Sequence, residues 1–484
     1  MSADSRKPGQ RHSKTVRPTP CGLEHPSHPN HMSKVTRRQF IAGAVGTAAA
    51  SRVISGPVAT GSSRPNILFI LADDMGWADL SCYGRPDYET PNLDRLAMQG
   101  MRFTNAYSAA PVCTPTRVGF HTGRYPARLP VGLEEPIVER RELGDRIKTT
   151  GIPSSHPTVS SVIKSAGYET ALVGKWHLGY LPYFGPLRSG FDEFFGIMSG
   201  AVDHFTHKDM KESPDLFEGE VPVERVGYMT DLLTGRAIDY LKRPHTKPFY
   251  LSLHYTAPHW PWEGPKDVAV SKAMKYGPAG FRAGGSIKVY GEMMKSLDSG
   301  IGRVLDTLKS SGLERNTLVI FTSDNGGERF SFNWPFTGQK MDLHEGGVRV
   351  PAIVRWPGVT AAGKVSDQAV ITMDWTATMI AAAGGRTDAA YPLDGEDVTA
   401  VLRSGRPLFD RTFYWRTYRQ GAIRSGNWKY IRDGKKESLH DLSVDEREQA
   451  DFKVSEPKTL ELLRSKFDKW ESEMQRYPVE TAGK

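Results

Sequence analysis

The chain has 484 residues, enough for one large domain and a smaller one, and its apolar and charged fractions, 38% and 24%, are ordinary for a soluble globular protein. The formal charge of +8 sits at one end: residues 1–64 carry ten Lys/Arg against two Asp/Glu, and the remaining 53 basic and 53 acidic residues cancel. A global nucleic-acid signal is therefore excluded from the globular part, and any anion preference there is local.

Residues 1–31 are rich in Pro, His and charge and do not read as foldable. Ser33-Lys34-Val35-Thr36-Arg37-Arg38-Gln39-Phe40 follows, leading into an Ala/Gly-rich apolar run to Ala50. This resembles a twin-arginine export signal and is too short to span a membrane. Met32 is a candidate start, and cleavage is expected near Ala48-Ala49-Ala50. Residues 1–63 are accordingly set apart from a catalytic domain over 64–405 and a C-terminal α+β subdomain over 406–484. Of three cysteines, Cys21 lies in the tail, and Cys82 and Cys113 do not make a disulfide framework.

An unbroken apolar run over 66–72 predicts a strand buried on both faces, ending in Asp73-Asp74. A helix over 90–97 follows, with Pro91 in its first turn and Gly100 at its end. After a short strand near Phe103 comes Cys113-Thr114-Pro115-Thr116-Arg117, then Gly123-Arg124-Tyr125-Pro126. Pro115 suits a first helical turn and Thr114 an N-cap. Cys113 then sits at a helix N-terminus, where the dipole attracts anions, and Arg117 returns to its face one turn later. Residues 130–156 read as a surface excursion, 158–166 as a helix and 169–173 as a strand, which ends in Gly174-Lys175-Trp176-His177. Residues 180–230 read as loop-dominated and 231–241 as a helix. The strand 249–253 leads to His259-Trp260-Pro261, a long helix covers 287–310, and the strand 317–321 leads to Asp324-Asn325.

Four times, then, an apolar strand leads into a cluster of Asp, Asn, Lys or His. Helices alternate with these strands, so a large, mostly parallel sheet covered on both faces is expected, with all four clusters converging beyond the strands' carboxyl ends. From about residue 410 short strands at 411–415, 421–424 and 428–431 and a helix over 458–476 predict a small antiparallel sheet plus helix.

The order C-T-P-T-R…T-G-R-Y-P, G-K-W-H-L-G, P-H-x-P and Lys340-x-x-x-x-Glu345-Gly-Gly-Val-Arg349-Val-Pro resembles the type I sulfatases, of the alkaline phosphatase superfamily, over roughly residues 64–475. Thr116 stands where that family more often has Ser, and His344 where it commonly has an aromatic. The resemblance implies an alkaline-phosphatase-like fold and oxidation of Cys113 to Cα-formylglycine by a formylglycine-generating enzyme. It implies one divalent cation, Ca²⁺ or Mg²⁺, held by Asp73, Asp74, Asp324, Asn325 and the modified residue 113, an all-oxygen set suited to a hard metal. It assigns Arg117 to orient the nucleophile, and Lys175 and Lys340 to neutralise sulfate charge. His259 falls on the leaving-group side with Lys340, and His177 takes the proton that lets sulfate depart.

The implied activity is sulfate ester hydrolysis, arylsulfatase-like and directed at sulfated carbohydrate outside the cytoplasm, after twin-arginine translocation. Two alternatives stand beside it: a phosphodiester or phosphonate hydrolase on the same fold, and an inactive sulfated-glycan-binding homologue. Asp203, His204, His207 and Trp260, in the loops expected to set specificity, are candidate substrate contacts.

Overall fold

The computed structural model describes residues 64–478. Arg37, Arg38 and Cys21 lie outside the described residues. Four strands organise the rest: β1 (Asn66–Ala72), β2 (Glu169–Lys175), β3 (Phe249–His254) and β4 (Thr317–Ser323). Among these four, every residue but Glu169 is buried. β1 lies between β3 and β4, and β2 pairs with β3, all in parallel. They form the centre of a ten-stranded sheet, which antiparallel pairing extends through Ala352–Arg355 beside β4.

Period-2 alternation sends the residues of β1 to two separate cores. Leu68, Ile70 and Ala72 pack with the helices Met229–Lys242 and Ile287–Ser310. Ile67, Phe69 and Leu71 pack on the opposite face with Val118, Phe120, Ile163, Trp375 and Met379, from the helices Cys113–Thr122, Val159–Ser165 and Thr372–Ala383. The sheet is thus sandwiched by helices, as the alternating elements predict.

Register fixes the position of the site. Ala72 lies opposite Ser323, Leu71 opposite His254, and His254 opposite Gly174. The four strands therefore end level, and the residues that follow them emerge along one edge.

Beyond the main sheet, Thr412–Arg416, Gln420–Ser425, Trp428–Asp433 and Lys436–Asp441 form a four-stranded antiparallel sheet. The helix Pro457–Ser472 packs Leu463, Phe467 and Trp470 on it. Three of its strands follow the sequence expectation; the fourth, K-E-S-L-H-D, lacks apolar alternation. Residues 180–230 also depart from expectation, because Glu193–Ile197 joins the main sheet in parallel with β2. Among the described residues, no helix is long and apolar enough to cross a membrane.

Candidate active site

Cys113 is the first residue of the helix Cys113–Thr122, whose N-cap is Val112 in extended conformation. Thr114 does not cap this helix. Its hydroxyl donates to His177 O and accepts from Ile137 N, tying the helix start to two neighbouring loops. Gly123, at φ 66°, ends the helix in the left-handed region open to glycine. The whole helix is buried.

Cys113 Sγ lies 3.3 Å from His177 Nδ1. His177 Nε2 lies 3.1 Å from Ile137 O, a carbonyl that can only accept. Nε2 therefore carries the proton, and the Nδ1 lone pair faces residue 113. Burial, reinforced by Lys175, holds the His177 pKa far below its ordinary value, so the ring is neutral. His177 also sits at φ 55°, and Asp74 at φ 63°, two side-chain-bearing residues in the left-handed region beside the site. Burial pushes the Cys113 thiol up, against the pull of Lys175 and Lys340.

Three cations face three carboxylates. Lys175 Nζ is 2.6 Å from Asp73 Oδ2, and Lys340 Nζ is 2.6 Å from Asp74 Oδ2. Arg117 Nη2 is 2.9 Å from Asp324 Oδ2. Burial and the nearby Asp324 raise the Asp73 pKa, and burial raises that of Asp74. Burial opposes the charge on Asp324 as well, but Arg117 and Lys175 outweigh it and lower its pKa. Asp324 Oδ1 also accepts from Asp74 N, which locks two strand ends together.

Cation-binding capacity follows from atoms left without partners. Asp73 Oδ1 and Asn325 Oδ1 are buried and accept no hydrogen bond. Asn325 Nδ2 donates 2.7 Å to Asp74 Oδ1, which fixes the amide with its oxygen free. His259 Nδ1 donates 2.6 Å to Trp260 O, so its unprotonated Nε2 points at Asp74 Oδ2, 3.5 Å away. Asp73, Asp74 and His259 offer ligand atoms within 4.8 Å of one another, a buried group able to hold a metal ion. Orphaned oxygens and a lone pair aimed at a carboxylate are what a cation would satisfy.

A cavity of about 510 Å³, large enough for a sugar, is lined by Cys113, His177, His259 and Lys340. Of the substrate contacts expected from sequence, the structure brings only Trp260 to this lining. Asp203 Oδ1 accepts from Phe205 N and Thr206 N, His204 stacks on Tyr228, and His207 bonds Gly227 O. These three are buried and shape the loop from beneath. Glu135, Glu139, Met210, Arg282, Glu328 and Gln339 line the cavity without having been singled out from sequence. His254 was not singled out either. It bonds Ser252 Oγ and donates from Nδ1 to Lys175 O, which also accepts from Arg117.

The sulfatase family model matches residues 65–385. The chain belongs to the sulfatase family. The sulfatase is 36% identical to mouse (Mus musculus) N-acetylgalactosamine-6-sulfatase over 398 residues, covering 77% of this chain and 73% of that protein. It is 33% identical to mouse arylsulfatase J over 406 residues, 77% of this chain and 64% of that protein. A crystal structure of Ps i-CgsB in complex with k-i-k-neocarrahexaose superposes with TM-score 0.74 at 29% identity, covering 85% of this chain and 94% of that one. The protein is thus a sulfuric ester hydrolase on an alkaline-phosphatase-like fold.

Proposed function

We propose that this sulfatase removes sulfate from carbohydrate, with Cys113 converted to formylglycine and one divalent cation, Ca²⁺ or Mg²⁺, held by Asp73, Asp74, Asp324 and Asn325. The observation that carries the reading is residue 113 itself. It begins a buried helix, faces the lone pair of a neutral histidine 3.3 Å away, and lines a sugar-sized cavity. Hydrated formylglycine supplies a hydroxyl nucleophile and a second hydroxyl through which the aldehyde is regained. The cation, with residue 113 in its shell, supplies charge neutralisation for the sulfate oxygens. Likenesses to N-acetylgalactosamine-6-sulfatase and to a protein solved with neocarrahexaose support carbohydrate as the leaving group.

The chain's own residues then have distinct tasks. His177 Nδ1 accepts a proton from residue 113, and Ile137 O keeps the ring in the tautomer that allows it. Arg117, fixed by Asp324 and Lys175 O, holds its charge behind the helix start. Lys175 and Lys340 present ammonium groups to the transferring sulfate. Burial works against the Lys340 ammonium, but Asp74 outweighs it and keeps Lys340 protonated. Lys340 therefore stands protonated on the leaving-group side, where it shares the proton-donor role with His259. His259, its Nδ1–H committed to Trp260 O, acts there only after gaining a proton at Nε2.

Export through Arg37 and Arg38 belongs to the same reading, with a formylglycine-generating enzyme acting before a twin-arginine translocase. The test is direct. Purified enzyme is assayed side by side on p-nitrophenyl sulfate and p-nitrophenyl phosphate, and the peptide containing residue 113 is weighed. Faster turnover of the sulfate, with the thiol replaced by an aldehyde, is expected. Active enzyme with an unmodified thiol, or a preference for phosphate, overturns the proposal.

A further inference from the structure

The globular part carries no net charge, yet one stretch beside the cavity does. Residues 264–288 hold five basic side chains, Lys266, Lys272, Lys275, Arg282 and Lys288, and a single acid, Asp267. All five cations are exposed. Among the described residues, none of the five has a carboxylate partner. Some surface cations elsewhere are paired, Arg188 with Glu220 and Arg243 with Glu193, and others such as Lys295, Lys309 and Arg315 are not among the described residues, so what marks this stretch is its density of like charge beside the cavity. An unpaired run of like charge is disfavoured by self-repulsion unless something anionic meets it.

The stretch is anchored at the site. Ser271 Oγ donates to Asp203 Oδ1, and Pro278 and Arg282 line the cavity. The Arg282 guanidinium stacks 5.0 Å from the Trp260 ring centroid, and Lys340 Nζ lies 5.8 Å from the same ring. Arg329 donates to Arg282 O and stacks 4.5 Å from Phe330. It too is exposed and has no carboxylate partner among the described residues. Stacking fixes a guanidinium by its face and leaves its N–H fork free for an oxyanion.

No carboxylate of the cavity wall is within ion-pair distance of a cation of this stretch, and Glu328 lies 3.7 Å from Lys340 Nζ. Glu135 accepts from Tyr418 N and the Tyr477 hydroxyl, and Glu328 accepts from Trp260 Nε1. Burial, with Asp209 and Asp215 nearby, pushes Glu139 up to about 9, so it is uncharged at neutral pH.

We propose that residues 264–288, with Arg282 and Arg329 at the cavity, bind further sulfates or carboxylates on the glycan chain beyond the ester being cleaved. The enzyme is then built for a multiply anionic oligosaccharide, not for an isolated sulfated sugar. This rests on the carbohydrate reading above.

The experiment compares a chondroitin 6-sulfate tetrasaccharide with N-acetylgalactosamine 6-sulfate and p-nitrophenyl sulfate, in wild type and in Lys266→Gln/Lys272→Gln/Lys275→Gln, at 50 and 200 mM NaCl. Binding of the tetrasaccharide is followed by calorimetry in the Cys113→Ala background of each, which reports on the basic stretch whether or not turnover occurs. The triple variant should weaken tetrasaccharide binding about tenfold at low salt and flatten its salt dependence. The two monosulfates, too short to reach the stretch, serve as controls for the fold. Unchanged tetrasaccharide affinity in the triple variant overturns the proposal. Equal affinity for a short DNA duplex overturns it as well, since the stretch would then be a general polyanion surface. Tight, salt-dependent tetrasaccharide binding without hydrolysis of any sulfate ester would instead sink the reading under Proposed function and leave this one standing.

Discussion

Lys429 is the buried link between the segment that runs from Lys340 to Glu345 and the C-terminal sheet, and replacing it with Met tests how that segment is held. Its Nζ is 2.8 Å from both Glu345 Oε1 and Glu448 Oε1, and all three side chains are fully buried. Glu345 also accepts from the Tyr107 hydroxyl at 2.5 Å and from Arg349 Nη1 at 3.1 Å, while Glu448 Oε2 accepts from Glu345 N. Glu345 thus keeps partners after the substitution, but Glu448 loses the only cation at ion-pair distance among the described residues. Breaking a buried pair from one side costs about 3–5 kcal/mol. At about 2.1 cal/mol/K per residue over residues 64–478, each kcal/mol corresponds to roughly 1 °C, so the melting temperature should fall by about 3–5 °C. Burial opposes the Glu345 charge, but Lys429, Arg349 and Arg424 hold it down at about 2, whereas burial already raises Glu448. Without the ammonium, the Glu448 carboxyl titrates higher still. A raised folded-state carboxyl contributes most below its unfolded pKa and loses that contribution as pH rises. The deficit should therefore shrink from pH 7.5 to pH 5, and Glu448→Gln in the same background should recover most of it. Lys340 sits five residues before Glu345, so kcat should drop more than KM rises. Calorimetric melts at both pH values decide: a change under 1 °C, or no rescue by Glu448→Gln, refutes the reasoning.

Asp324→Ala removes the acceptor of Arg117 Nη2 and of Asp74 N, and should lose bound divalent metal together with about 10²–10³-fold in kcat; elemental analysis showing two zinc ions per wild-type chain would point to phosphatase chemistry. Glu139→Gln should change stability in a pH-dependent way. The folded chain keeps the Glu139 proton up to about 9 while the unfolded chain releases it near 4.5, so wild-type stability falls with pH across that window and the variant's relative stability rises. Parallel melting curves from pH 5 to 9 would contradict the assignment. Arg37→Lys with Arg38→Lys should trap active enzyme inside the cell, because Lys keeps the charge but lacks the guanidinium fork; unchanged secretion would show that the tail is no twin-arginine signal.

Legibility followed the physics of each element. β1, β3 and β4 could be read because a strand buried on both faces is continuously apolar. Their polar ends were informative for the same reason: Asp73 or Asp324 directly after such a run must emerge at the sheet's edge. Glu193–Ile197 was hidden, since E-F-F-G-I is short and its Gly196, at φ 159°, lies against the backbone of Gly174, a packing relation no local pattern encodes. Asp203, His204 and His207 looked like ligands because polar groups in a loop suggest contact with solvent. Here they are buried, Asp203 and His207 bonding backbone of nearby loop residues, while Asp203 Oδ2 and His204 Nδ1 have no hydrogen-bond partner among the described residues. Glu139 and Arg282 gave no local signal; what distinguishes them is absence of an ion-pair partner among the described residues, which only three-dimensional neighbours reveal.

Charge separates a sulfate monoester from a phosphate monoester on this fold, whereas a phosphodiester carries the same single charge as the sulfate ester. Asp73, Asp74 and Asp324 face Arg117, Lys175 and Lys340, three buried carboxylates against three cations none more than 9% exposed, while Glu328, 3.7 Å from Lys340, is partly open to water. Buried charge must be closely balanced, because each uncompensated unit costs several kcal/mol. A divalent cation added to that neutral set leaves two positive charges to satisfy. A sulfate monoester contributes one negative charge and an ionised nucleophile at residue 113 a second, which closes the balance. A phosphate monoester dianion overshoots by one. Asn325 is where the difference lies: an amide there keeps the acidic count at three, with its Oδ1 free and its Nδ2 held by Asp74. Asn325→Asp would add a fourth carboxylate and make room for additional positive charge. The neutrality of the present set therefore favours the singly charged ester before any contact with the leaving group is made.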